Sequence, residues 1–250
     1  MISFSGRGIL LDIEGTISSL SFVRDVLFPY ARKRLASSLR NLWNDPAMER
    51  IRQELATHYG ATDFDTWTGG PGMPPEHRLA HMRSAIYALM DADAKVGPLK
   101  ELQGLIWRYG YVDGTLRSHV YGEVPRVLKE WKQRGMDVRI YSSGSIEAQK
   151  VFFEHVDIGR TEPADFTGYF SGFYDTSTGP KKEAASYSRI AAAFDLPAAQ
   201  ILFLSDVTAE LDAAREAGMK TALMLRPENE PVTSTHDHPV LNSFDDVNLL

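Results

Sequence analysis

The 250-residue chain contains no cysteine, which excludes disulfides, zinc sites built on thiolates and thiol nucleophiles. It also lacks any run of about 18 consecutive apolar residues, the length that a membrane-spanning helix needs. Its first residues do not combine a basic segment with a long apolar one, as a secretory signal does. We therefore expect a cytoplasmic protein with no membrane partner.

Basic residues are in the minority, with 27 Lys and Arg against 33 Asp and Glu and a net charge of −6. No sizeable basic patch is visible, so we expect no nucleic-acid partner. A mildly acidic chain that binds an anionic substrate must concentrate positive charge locally or recruit a metal ion. An exposed apolar stripe is also missing, and this absence favours a monomer.

The most informative stretch is residues 8–16, Gly-Ile-Leu-Leu-Asp-Ile-Glu-Gly-Thr, in which an apolar run leads into two acids. A continuous apolar run is typical of a buried strand of a parallel sheet. Further short apolar segments at 136–141, 201–204 and 221–225 alternate with helical patterns. Strand–helix alternation predicts an α/β core, a Rossmann-like doubly wound parallel sheet with helices on both faces.

A long helical insertion interrupts this alternation directly after the first strand. Residues 18–118 show helical spacing of apolar residues and no convincing strand pattern, and they are too many for a plain crossover. We predict an inserted all-helical cap at 18–118 and an α/β core formed by 1–17 and 119–250. Residues 63–75 are predicted to be loop, 164–175 an extended excursion, and the chain after Arg226 irregular.

Polar side chains follow four predicted strand ends: Asp12 and Glu14, Ser142 and Ser143, Lys181, and Asp206. Ligands bind outside the carboxyl ends of strands in such sheets, so we expect these groups to converge. Asp12 and Asp206 are carboxylates that Mg²⁺ accepts together with waters and a substrate phosphate. The helix start after Ser143 suits an anion, and Lys181 adds a charge for phosphate. Asp12 is then a plausible nucleophile that forms an aspartyl-phosphate.

These motifs resemble the haloacid dehalogenase-like phosphohydrolases. Members of that family typically have Asp-x-Asp-Gly-Thr where residues 12–16 have Asp-x-Glu-Gly-Thr, and the Glu matches one branch, the enolase-phosphatases of methionine salvage. The likeness covers nearly the whole chain and is weakest in 36–66 and after Pro227. Its further segments are 22–30, 99–107, 110–114, 119–121, 142–150 and 203–206.

The resemblance implies a Mg²⁺-dependent enzyme with one ion per chain and a small phosphorylated metabolite as substrate. That substrate is 2,3-diketo-5-methylthiopentyl-1-phosphate, which is enolised and then dephosphorylated to the acireductone 1,2-dihydroxy-3-keto-5-methylthiopentene. The implied roles are Asp12 as nucleophile and metal ligand, Asp206 as second ligand, Glu14 as acid/base group with its carbonyl on the metal, Ser142 and Ser143 as phosphate or substrate ligands, and Lys181 as the neutralising charge.

Plainer interpretations were open for each of these residues. Asp12 alone is equally consistent with a polar turn, and Ser142 or Ser143 with a simple helix N-cap. Lys181 is preferred over Lys182 because it directly follows a Gly-Pro pair. Glu210 would face the site only if its helix begins near Thr208, and we leave it out of the site. Asp212 is expected to be exposed, and the triplet at 236–238 to lie in a mobile loop.

Two other functions fit the same residues. The chain could be another capped phosphatase or phosphomutase acting on a small phosphorylated metabolite, or a binding protein that has lost catalysis. The retained Asp12, Lys181 and Asp206 speak against the second alternative.

Overall fold

The computed structural model describes residues 1–233 and 235–250. Its strands are β1 (Ile2–Phe4), β2 (Gly8–Leu11), β3 (Asp137–Tyr141), β4 (Gly172–Tyr174), β5 (Ile201–Ser205), β6 (Lys220–Met224), β7 (Val240–Leu241) and β8 (Val247–Leu249). Its helices are α1 (Phe28–Asn41), α2 (Pro46–His58), α3 (Phe64–Trp67), α4 (Pro75–Asp91), α5 (Gly97–Val112), α6 (Val124–Gln133), α7 (Ile146–Glu154), α8 (Ala184–Phe194) and α9 (Thr208–Glu216). A π-helical segment, Phe22–Leu27, precedes α1.

The chain divides into two compact units, one formed by Met1–Val23 with Arg117–Leu250 and the other by Arg24–Leu116. The first unit contains a six-stranded sheet in the order β4-β3-β2-β5-β6-β7, and every pairing in it is parallel. This is the predicted α/β core. No helix within 1–233 or 235–250 is long and apolar enough to cross a membrane.

Strands β2 and β5 lie side by side at the centre of the sheet and carry the most apolar sequences. Their side chains are buried on both faces, which explains why these segments lack the alternation of a half-exposed strand. Leu11 lies opposite both Ile140 of β3 and Leu204 of β5 in the register. The residues that follow these three strands therefore emerge at the same edge of the sheet.

The second unit contains only helices as regular elements, from α1 to α5. Apolar residues at helical spacing form its core, including Leu35, Leu39, Ile51, Ile86 and Leu102. The loop prediction for 63–75 was wrong at α3, where the Asp63 carboxylate accepts a hydrogen bond from the Thr66 amide and caps a short helix.

The expectation of an irregular segment after Arg226 was wrong from Val240 onward. β7 adds an edge strand next to β6, and β8 pairs in parallel with β1 in a separate two-stranded sheet. Residues 164–175 contain a 3₁₀ turn and the edge strand β4. Strands of two or three residues are too short to show a period, so their pairing depends on contacts that are remote in sequence.

Candidate active site

Asp12 directly follows β2 and is buried, with 3% of its surface exposed. Its amide donates to the Leu204 carbonyl at 3.0 Å, and its own Oδ1 accepts from the Ile13 amide at 2.8 Å. The chain then turns sharply, because the amides of Thr16, Ile17 and Ser18 all donate to the Ile13 carbonyl. We call residues 12–16 the acidic turn. Its geometry directs the Asp12 carboxylate inward at the end of the sheet.

Lys181 contacts Asp12 directly. Its Nζ lies 2.7 Å from Asp12 Oδ1 and 2.8 Å from Glu210 Oε2, while Lys182 is exposed. Burial alone would lower the pKa of Lys181, but the two carboxylates outweigh it and raise that pKa. The ammonium group therefore stays charged, as a group that is to face phosphate must.

The two predicted serines occupy different environments. Ser142, directly after β3, is buried and donates through Oγ to Glu14 Oε2 at 3.1 Å. Ser143 is exposed, and the N-cap of α7 is Ser145, whose Oγ accepts from the Ala148 amide. The structure thus places Ser142 next to the acidic turn and Ser143 at the surface.

Glu14 is the second carboxylate of the acidic turn and is partly buried. Burial raises its pKa, and the nearby negative charge of Asp12 raises it further. A carboxyl group in these surroundings can hold and release a proton at a higher pH than an exposed Glu.

Asp206 follows β5 and reaches the acidic turn from the other side of β2. A methyl group added at Gly15 would lie only 2.3 Å from Asp206 Oδ2. Gly15 also has a φ of 73°, so a side chain there would be strained as well as crowded. Burial, followed by repulsion from Asp12, raises the pKa of Asp206 to about 7.

Glu210 is a site residue that the sequence analysis left out. It lies in the first turn of α9, is buried, and contacts Lys181 and the Ser205 hydroxyl, the latter at 3.1 Å. Burial and the charge of Asp12 raise its pKa. Its position four residues after Asp206 could have indicated this role. Because α9 begins at Thr208, that spacing brings the Glu210 side chain to the site.

Four carboxyl groups and one ammonium group therefore lie in this site, and the ammonium group pairs with Asp12 and Glu210. Burial is the largest cause of the raised pKa of Asp206 and Glu14, and repulsion from Asp12 is the second, which a bound cation would relieve. No group of three or more His, Cys, Asp or Glu side chains within the described chain is arranged to hold a metal by itself. Mg²⁺ does not need one, because it usually takes one or two carboxylates and keeps waters and phosphate oxygens. The donor set fits Mg²⁺.

The triplet at 236–238 has a structural role at His238. That side chain is buried, with Nδ1 2.8 Å from Thr221 Oγ1 and Nε2 3.1 Å from Asp212 Oδ1. The expectation of a mobile loop was wrong for this residue, because its ring joins β6 and α9. Asp212 is largely exposed, as predicted.

Residues 7–218 match the family model described as haloacid dehalogenase-like hydrolase. The chain is 45% identical over 241 residues to enolase-phosphatase E1 of Pseudomonas aeruginosa strain UCBPP-PA14, covering 96% of this chain and 97% of the relative. It is 40% identical to enolase-phosphatase E1 of Persephonella marina, covering 96% of this chain and 98% of the relative.

Solved structures show the same fold. The UTR4 protein of Saccharomyces cerevisiae matches with a TM-score of 0.76 and 33% identity, over 96% of this chain and 99% of that one. The L-2-haloacid dehalogenase RSc1362 matches with a TM-score of 0.52 and 22% identity, over 94% and 93%. This second likeness concerns the fold alone.

Proposed function

The chain belongs to the haloacid dehalogenase-like hydrolases, and we propose that it is the enolase-phosphatase of this family that acts on 2,3-diketo-5-methylthiopentyl-1-phosphate. Its near full-length likeness to enolase-phosphatase E1 proteins supports the choice of substrate. The observation that carries the proposal is the pair Asp12 and Glu14, two carboxylates on one turn that have different surroundings.

The two carboxylates are suited to different tasks. Asp12 Oδ1 accepts from the Ile13 amide and pairs with Lys181, and these contacts hold the side chain in one orientation as the nucleophile. Glu14 has a raised pKa and accepts from Ser142, which favours a group that takes up and gives back protons. Two carboxyl groups in different surroundings are a common basis for assigning different roles in one reaction.

In the first half-reaction, Glu14 takes a proton from the carbon that bears the phosphate ester. The electron pair moves toward the neighbouring carbonyl, whose oxygen takes a proton from water, and an enol forms while Glu14 keeps the proton removed from carbon. The charge of Asp12 acts on Glu14, so the two carboxyl groups lie close enough to address one substrate. The additional methylene of Glu14, relative to Asp, extends its reach by about one carbon.

In the second half-reaction, an Asp12 oxygen bonds to phosphorus while the bond from phosphorus to the substrate oxygen breaks. Glu14 donates a proton to that leaving oxygen and then accepts one from the water that hydrolyses the aspartyl-phosphate. Lys181 balances the charge of the transferring group, and Ser142 orients Glu14. Ser142 and Ser143 both stay predicted ligands of phosphate or substrate.

We propose one Mg²⁺ per chain, held by the carboxylates of Asp12 and Asp206 and by the backbone carbonyl of Glu14. When bound, the ion would supply positive charge beside the phosphate oxygens and the developing enolate. The excess of carboxylates at the acidic turn supports this assignment. A cytoplasmic monomer and a cap formed by residues 18–118 stay predictions.

A substrate comparison tests the proposal. The purified chain, assayed with Mg²⁺, should convert the diketone phosphate far faster than any sugar phosphate of a panel, and enol absorbance should appear with phosphate. A preference for the sugar phosphates would favour the alternative, another capped phosphatase or phosphomutase. The absence of any Mg²⁺-dependent turnover would favour a binding protein.

A further inference from the structure

The segment that follows β6 reaches back to the acidic turn, a contact that no local pattern of the sequence indicates. Arg226 is buried, with 4% of its surface exposed, and Asn229 is partly buried. Their side chains contact the backbone carbonyls of Gly15 and Thr16, more than 200 residues away in sequence. Both residues lie in the same compact unit as the acidic turn.

Every nitrogen of the Arg226 guanidinium group contacts another group of the protein. Its Nε and Nη2 donate to the Thr16 carbonyl at 3.1 and 2.8 Å, and Nη1 donates to the Asn242 carbonyl at 3.0 Å. Nη1 also lies 2.7 Å from Glu123 Oε1, which balances the charge. Because each nitrogen has a protein partner, Arg226 is unsuited to binding substrate phosphate and well suited to fixing the turn.

Asn229 holds the next carbonyl. Its Nδ2 donates to the Gly15 carbonyl at 3.0 Å and to the Met224 carbonyl at 3.1 Å, which fixes the orientation of the amide. Its Oδ1 is buried and has no hydrogen-bond partner among the described residues. A methyl group added at Gly15 would lie 3.2 Å from that Oδ1, so Asn229 borders the Asp206 side of the turn.

These donors matter because the turn cannot satisfy its own carbonyls. The amides of residues 16–18 are all used on the Ile13 carbonyl, and Thr16 is fully buried. A buried carbonyl without a donor would cost free energy and would let the turn relax into other conformations. Side chains from the segment after β6 supply the missing donors.

We propose that Arg226 and Asn229 are positioning residues for the reaction, which hold the acidic turn so that Asp12 and Glu14 keep their orientation. This inference rests on the proposed function only for the assignment of Asp12 and Glu14 as the reacting groups. Both residues act through the turn, by holding its backbone carbonyls. A displacement of about 1 Å at reacting groups can lower a rate about 100-fold. Loss of the contacts made by Arg226 and Asn229 should therefore lower kcat more than it changes KM.

The test compares three variants with two matched controls. Arg226→Met and Asn229→Ala remove the donors, and Arg226→Lys restores the charge and part of the donation. Arg215→Met and Asn248→Ala make the same chemical changes at exposed positions in α9 and β8. Rates with the diketone phosphate and with p-nitrophenyl phosphate are measured well below each variant's melting temperature.

We expect kcat to fall about 100-fold in Arg226→Met and Asn229→Ala with little change in KM, and to recover about tenfold in Arg226→Lys. The controls should match wild type. Crystal structures of the variants should show the acidic turn moved by at least about 0.5 Å, independently of turnover.

The inference is overturned if the folded variants keep wild-type kcat, if only their melting temperatures fall, or if the turn is unmoved in the crystal structures. Should Arg226→Met fail to fold, Arg226→Lys and Asn229→Ala decide the matter. Wild-type hydrolysis of p-nitrophenyl phosphate without conversion of the diketone phosphate would refute the proposed function, and the positioning role would still be judged on the aryl phosphate.

Discussion

The ammonium nitrogen of Lys181 lies 2.7 Å from Asp12 Oδ1, although the two residues are 169 positions apart in the sequence. The contact brings the loop before α8 to the residue that directly follows β2. Side-chain exposure is 9% for Lys181 and 5% for Asp12, so water screens their attraction only weakly.

Replacing Lys181 by Met should lower kcat about 100-fold or more, because the phosphate charge loses its balancing group. Lys182→Met is the matched control, since Lys182 is the next residue and is exposed. Steady-state kinetics with the diketone phosphate measure both. Equal losses in the two variants would show that the choice between the lysines was wrong.

Glu210 shares Lys181 with Asp12, so the two acids should be energetically coupled. Glu210→Gln should lower kcat about tenfold, because Lys181 then pairs with Asp12 alone and makes it a weaker nucleophile. Glu216→Gln, at an exposed position of the same helix, should have no effect. In a double-mutant cycle with Lys181→Met the losses should not add, and strict additivity would contradict the coupling.

Gly15→Ala should lower catalytic activity in addition to straining the backbone. Gly15 and Gly135 both have a φ of 73°, but only at Gly15 would a methyl group meet Asp206; at Gly135 nothing lies within 4 Å. Both Ala variants should lose about 1–3 kcal/mol of unfolding free energy, measured by urea titration. Only Gly15→Ala should also lose about 100-fold in kcat. Similar kinetics in the two variants would mean that the Asp206 contact is unimportant.

The pKa of Asp206, raised from 3.8 to about 7, predicts a pH-dependent stability. The folded chain holds this proton more tightly than the unfolded chain, so the stabilisation is complete below the ordinary pKa and is lost as the pH rises through about 7. In a chelating buffer, Asp206→Asn should therefore gain in melting temperature relative to wild type between about pH 5.5 and about pH 8.

Mg²⁺ should reverse this trend in the wild type, because it binds the ionised carboxylate. The rise in melting temperature on adding Mg²⁺ should be larger at pH 8 than at pH 5.5, and it should be small in Asp206→Asn. A Mg²⁺ effect that is independent of pH, or equal in the two proteins, would contradict the assignment of Asp206.

The central strands could be predicted because their physical cause is local. β2 and β5 are continuous apolar runs, and a parallel sheet brings the residues after them to one edge, so the convergence of Asp12, Ser142 and Asp206 followed from topology. Lys181 could be proposed for the same reason, although no strand ends immediately before it. These expectations needed no knowledge of side-chain packing.

The remainder depended on contacts that local patterns do not record. Glu210 reaches the site only if α9 begins at Thr208, and a shift of one residue would turn it away. Arg226 and Asn229 lie in a segment without periodic spacing of apolar residues. The role that we propose for them depends on backbone carbonyls near the other end of the chain. Ser143 looked equivalent to Ser142 in sequence, yet the turn after β3 leaves it exposed.

The most direct test of the central claim follows the two half-reactions separately in Glu14→Gln and Glu14→Asp. Enol absorbance and phosphate release are recorded with the diketone phosphate and Mg²⁺, next to wild type. If Glu14 serves both steps, Glu14→Gln should slow each of them about 100-fold or more, and Glu14→Asp should keep part of the phosphate release. Full rates for both steps in Glu14→Gln would contradict the assignment.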